Sequence, residues 1–130
     1  RVAIDQLVQY TNNHREFFVK KDLKWVFHIQ NFYNNRIVNQ HYKSLGKYLD
    51  SFEELLRYTY VNFYNITDIK SPEHLNNYDE YYLRYRRAVD SHNRFNVKRI
   101  EFQNDFIKTY PDVKSYLPGE RQTDTFRLWE

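Results

Sequence analysis

The chain has no cysteine, no methionine, two glycines and three prolines among its 130 residues. Without cysteine, disulfides, thiolate metal sites and cysteine nucleophiles are excluded. Glycine stands only at positions 46 and 119, which rules out a GxGxxG dinucleotide loop and a P-loop. So few breakers leave little room for the turns of a β-sandwich or barrel. No apolar run approaches the roughly 20 residues of a transmembrane helix. Without methionine the chain does not open on a start codon, which reads as a processed product or a trimmed sequence and leaves room for a signal peptide or membrane anchor ahead of Arg1.

What the chain holds in abundance is aromatic: 13 Tyr and 10 Phe, with 41% hydrophobic and 28% charged residues. That balance is one of a folded protein rather than a disordered one. Many tyrosines predict a core with polar edges, because a buried phenol seeks a hydrogen-bond partner. The net charge of +3 is mild and reads as a solvated surface, since a nucleic-acid binder more often carries a denser basic stripe. The length fits one domain, burying roughly two-thirds of the unfolded surface without a metal or disulfide. We expect a helical bundle over residues 1–117 and a C-terminal tail over 118–130.

Apolar spacing predicts helices throughout. Val2 to about Lys20 reads as the first, with a poor helical stretch at Thr11-Asn12-Asn13. Asp22 is a plausible N-cap for the second, whose stripe includes Trp25, Ile29, Phe32, Tyr33, Ile37, Tyr42 and Leu45 at steps of mostly three and four. Gly46 then offers two readings. As a C′ glycine it ends the helix, and Ser51 with Glu54 caps a new one. Alternatively Leu45, Tyr48, Leu49 and Phe52 keep one phase through it, and we expect this continuity or a mild bend, to about Tyr64. Asn65–Lys70 reads as a loop, and Asn65-Ile66-Thr67 matches an N-glycosylation acceptor. Ser71-Pro72-Glu73 is a helix start. The chain turns on the next stretch, about Tyr78 to Tyr110, without Gly or Pro. Its ladder of Tyr78, Tyr81/Tyr82, Tyr85, Ala88/Val89, His92, Phe95, Arg99, Phe102 and Phe106 has the spacing of a helical seam, and Pro111 ends it. In the tail, Phe126, Leu128 and Trp129 are positioned to dock on the bundle or on a partner. The fold class expected is all-α: an antiparallel bundle of three to four helices built on one or two long ones.

Chemistry is sparse. None of the five histidines stands in an HxxxH or ExxH pair, so helical spacing assembles no metal site, and we expect neither metal nor cofactor. One spacing points to an enzyme. Arg87-Ala-Val-Asp-Ser-His92 and Arg36-Ile-Val-Asn-Gln-His41 are both Arg-x4-His. They resemble the Arg-x4–6-His motif of HEPN-type ribonucleases, which implies a histidine acting on the RNA 2′-OH and an arginine stabilising phosphate charge. That mechanism requires Arg87 and His92 to share one accessible cleft. The run Arg84-Tyr85-Arg86-Arg87 also offers phosphate contacts with stacking tyrosines, although arginines here have Asp79, Glu80 and Asp90 within helical reach.

A second resemblance lies at the end of the long stretch. Asn93-Arg94-Phe95-Asn96 followed by Gln103-Asn104-Asp105-Phe106-Ile107-Lys108-Thr109-Tyr110-Pro111 is similar to the closing helix of LemA-type proteins. Phe95-Asn96, Ile107 and Tyr110-Pro111 match, and Asn104 falls where that family's second Asn belongs. Gln103 stands where an aromatic is usual, the interval between the Asn residues is one longer than a heptad, and the family's early Trp and Arg-rich segment has no counterpart. The resemblance implies a bundle of long helices on an N-terminal membrane anchor in a bacterial cell envelope, without catalysis. The leading expectation is therefore a non-enzymatic protein-interaction module, with a protein partner or self-association. The alternative is a nuclease using Arg87 and His92, or a nucleic-acid-binding helical protein.

Overall fold

The computed structural model describes residues 2–17, 20–67 and 72–118, with side-chain surroundings outside 17–22. The fold is all-α, an antiparallel helical bundle built on two long helices. In chain order the helices are α1 (Val2–Asn13), α2 (Lys20–Asn34), α3 (Arg36–Thr67) and α4 (Pro72–Thr109), with 3-10 helices at Arg15–Phe17 and Pro111–Tyr116. No strand occurs among the described residues.

The first helix is shorter than its spacing predicts. It ends at Asn13, in the poor Thr-Asn-Asn stretch, where Thr11 donates to the Leu7 carbonyl and Arg15 donates to Asn12 Oδ1. The second helix opens at Lys20, so Asp22 falls inside its first turn rather than at the expected cap position.

The helix break falls at Asn35, not at Gly46. Asn35 Oδ1 accepts from the Ile37 amide at 2.8 Å, and the Asn35 carbonyl accepts from the Asn39 amide at 3.0 Å. This is an N-cap, with the side chain satisfying one of the orphan amides of the first turn. Gly46 sits inside α3, and a Cβ built there meets nothing within 4 Å. No close approach requires a glycine at that position, so the apolar phase carries the helix through it. The expected loop over Asn65–Lys70 is corrected over 65–67, while 68–70 lie outside the described residues. α3 runs on to Thr67, with a kink at Asn62 (φ −112°, ψ 17°). The glycosylation tripeptide is thus helical, and Thr67 donates to the Phe63 and Tyr64 carbonyls. Ser71 lies outside the described residues. Pro72 opens α4, which passes through Asn76-Asn77 without a break.

The chain divides into two compact units, one holding residues up to Asn39 and from Asn96, the other Gln40–Phe95. In the first, α2 runs antiparallel to the end of α4: Phe32 meets Phe102 and Phe106, and His28 meets Tyr110. Its core is Ile29, Phe32, Val38, Val113 and Leu117, flanked by Ile4, Trp25, Tyr33 and Ile107. The chain just past Pro111 is therefore structural: Val113 is fully buried, and Tyr116 stacks on Trp25. Phe126, Leu128 and Trp129 lie outside the described residues. The buried positions on this part of α4 are Asn96, Arg99 and Gln103, a polar ladder rather than the aromatic seam expected. Arg99 donates to Asn96 Oδ1 and to Gln103 Oε1, and Gln103 donates to the Pro118 carbonyl. Phe102 and Phe106 take the flank, packed against the apolar core.

The second unit is a helical hairpin of α3 from Gln40 and α4 to Phe95. Ser44 faces His92, Tyr48 faces Tyr85, and Tyr58 faces Tyr81 and His74. Partners descend along α4 as α3 ascends, so the two helices are antiparallel.

Candidate functional site

The two Arg-x4-His spacings separate into two environments. Their histidines lie in the hairpin seam, both buried, with ring centroids 5.0 Å apart. His92 also stacks on Tyr48 at 5.9 Å, and Tyr48 meets Tyr85 at 5.8 Å. The arginines, Arg36 and Arg87, are exposed. Five residues along an α-helix turn a side chain by about 140°, so an arginine five before a seam histidine points to the flank. The structure does not bring Arg87 and His92 into one cleft.

Hydrogen bonding fixes the role of Ser44, which contacts the His92 ring and the His41 backbone. Its hydroxyl donates to the His41 carbonyl at 2.7 Å, and its oxygen lies 3.2 Å from His92 Nδ1. A serine hydroxyl carries one proton. With that proton given to the carbonyl, the second contact places a proton on His92 Nδ1, donated to the serine oxygen. This is the reverse of a serine nucleophile activated by a histidine base. Ser51 makes the same backward turn to the Tyr48 carbonyl at 2.8 Å. Burial, and then the neighbouring Tyr85 phenol, push the Tyr48 hydroxyl above its ordinary 10.0. The group is a packed seam in which Ser44, Ser51 and His92 are hydrogen-bonded.

Away from the seam the hairpin carries an open hollow of about 350 Å³, lined by Arg57, Tyr58, Asn62, Tyr81 and Arg84 among others. Its cations are engaged: Arg57 with Glu53 at 2.8 Å, and Arg84 with Glu80 at 3.7 Å and over the Tyr81 ring at 5.4 Å. The Arg84–Arg87 run is accordingly divided between a shallow acidic-basic surface and the half-buried Tyr85. In the first unit His28 Nδ1 lies 3.2 Å from Asp112. Among the described residues no three His, Asp or Glu side chains gather where they could hold a metal ion, and no helix is long and apolar enough to cross a membrane.

The feature that the residue spacing held, and that a search for chemistry passes over, is a second stripe on α3. Tyr42, Leu49, Leu56 and Phe63 recur every seven residues and are 43%, 52%, 52% and 55% exposed. The buried stripe of the same helix is His41, Ser44, Tyr48, Ser51 and Leu55. At 100° per residue the two stripes lie about 120° apart. The larger apolar side chains are on the open side. The chain matches no known family, no characterised sequence and no solved structure.

Proposed function

We propose that this protein is a non-enzymatic helical module that acts by protein–protein contact through the open face of α3. The observation that carries the reading is the exposed stripe of Tyr42, Leu49, Leu56 and Phe63 beside a seam in which Ser44 is hydrogen-bonded to the His41 carbonyl and to His92. Contiguous exposed apolar surface marks an interaction site more often than scattered single residues do. The resemblance of Phe95-Asn96, Ile107 and Tyr110-Pro111 to the LemA closing helix extends the proposal to a membrane-proximal place in a bacterial cell envelope.

Affinity capture from cells that express the protein tests the contact. The native chain is compared with a Leu49→Glu, Leu56→Glu double variant of matched helicity. Proteins recovered by the native chain and lost by the variant support the proposal; identical recovery removes it. Fractionation of the same cells tests the location, and recovery in the cytosol alone removes the envelope.

A further inference from the structure

We infer that the occupant of the exposed α3 stripe is a second copy of this chain, paired antiparallel about a two-fold axis between Leu49 and Leu56. The inference rests on the interaction reading above and names its partner.

Three observations carry it. The first is periodicity. A strict seven-residue repeat of apolar side chains drifts by only about 20° per heptad on a straight helix, so Tyr42, Leu49 and Leu56 form one nearly straight row, and Phe63 follows it just past the kink at Asn62. A row of this kind is buried by another helix lying along it. Its uninterrupted part, Tyr42 to Leu56, spans on the order of 21 Å, which suits a helix better than a small molecule.

The second is its symmetry. Read in either direction the row runs aromatic, leucine, leucine, aromatic. An isologous contact requires a patch complementary to itself under a two-fold rotation. Antiparallel pairing sets Leu49 against Leu56 of the second copy and Tyr42 against its Phe63, whereas parallel pairing crowds two tyrosines at one end and two phenylalanines at the other. Tyr60, 87% exposed, stands within one turn of Gly46 in the antiparallel arrangement, and Gly46 has open space where a Cβ would be. The large ring thus meets the position that has no side chain.

The third is area and charge. A large side chain presents about 200 Å², so the four row residues with Tyr60, at their exposures, offer roughly 600 Å² on each copy. Two such faces bury about 1,200 Å², the lower edge of a specific interface. Residues 40–95 hold eight Lys and Arg against eight Asp and Glu, so the contacting hairpin adds nothing to the mild repulsion between two chains of net charge +3.

The test is solution mass with site-directed cross-linking of the full chain. Light scattering at high micromolar concentration is expected to give twice the 16.3 kDa of the chain. The Leu49→Glu, Leu56→Glu variant is expected to weaken that association by more than about 100-fold, because it buries unpaired carboxylates on both copies. The chain has no cysteine, so single thiols report cleanly. Tyr42→Cys mixed with Phe63→Cys is expected to be joined by a short bis-maleimide, and Tyr42→Cys alone is not. Efficient joining of Tyr42→Cys to itself, or a single-chain mass at high concentration, overturns the self-pairing. A monomer whose face variant loses a captured protein overturns the self-pairing and leaves the interaction reading standing. A monomer whose face variant captures what the native chain captures overturns both. A monomer that binds phosphatidylglycerol vesicles through the face assigns it to lipid, and also overturns the pairing.

Discussion

Gly46→Ala separates a helix end from a helix interior by the sign of one measurement. Inside a helix, glycine is less favourable than alanine by about 0.8–1.0 kcal/mol, because the unfolded chain loses more freedom at glycine and no side chain packs in return. At position 46 nothing lies within 4 Å of an added Cβ, so no steric penalty offsets that gain. Gly46→Ala is therefore expected to stabilise the protein by about 1 kcal/mol. For a chain of this size that corresponds to a rise of about 3–5 °C in the thermal midpoint. Had Gly46 been a C′ residue with positive φ, the same substitution would destabilise by about 1 kcal/mol, a difference of roughly 2 kcal/mol between the two readings. Urea unfolding followed by circular dichroism decides it, performed at low micromolar protein so that association does not enter the midpoint. An unchanged slope with a higher midpoint is the expected result. A fall in midpoint would refute a continuous α3.

Two further changes probe the helix junction and the seam. Asn35→Ala removes the side-chain cap on Ile37 and is expected to destabilise by about 1 kcal/mol, while Asn35→Asp largely retains stability; equal losses would place the effect elsewhere. The Tyr48 phenol titrates above its ordinary 10.0, so the native state holds its proton where the unfolded chain has released it. The stability this contributes is fully present below that ordinary value and is lost as pH rises through the folded one. Unfolding free energy is expected to fall as pH rises past 10.0, more steeply for the native chain than for Tyr48→Phe; parallel pH profiles would contradict the burial of that hydroxyl.

Most of the helical architecture was legible in the residues, because helical apolar spacing dominates a chain with two glycines. The phase running through Leu45, Tyr48, Leu49 and Phe52 located the continuity of α3, and Pro72 and Pro111 located the ends of α4. The break at Asn35 was harder to see. Asn34-Asn35 carries the signal, since asparagine is favoured both past a helix end and at an N-cap, but the apolar positions Phe32, Tyr33 and Ile37 continue across it at nearly helical steps. Spacing alone could not reveal which stripe of a helix turns inward. On α4, His92, Asn96, Arg99 and Gln103 are buried while aromatic neighbours flank them, an order hydropathy does not predict. Their burial depends on hydrogen bonds such as Ser44 to His92 and Arg99 to Gln103, which join residues on different helices or different turns and are decided by tertiary packing.

The same inversion on α3 bears on what the hairpin is for. Burying a leucine fully is worth about 1.5–3 kcal/mol, so Leu49 and Leu56, each about half exposed, together forgo on the order of 2 kcal/mol in the single chain. A helix selected for monomer stability alone would turn that row toward its neighbour and leave His41, Ser44 and Ser51 to water. The observed arrangement instead satisfies Ser44 and Ser51 on carbonyls of their own helix, which removes the penalty of burying them and leaves small side chains in the seam where aromatic rings from both helices fit. The apolar energy withheld from folding is then available to a contact made after folding. A copy brought along the row recovers it on both sides, so a pair of chains gains about twice what one chain forgoes. The seam holds α3 in the rotation that leaves the row exposed.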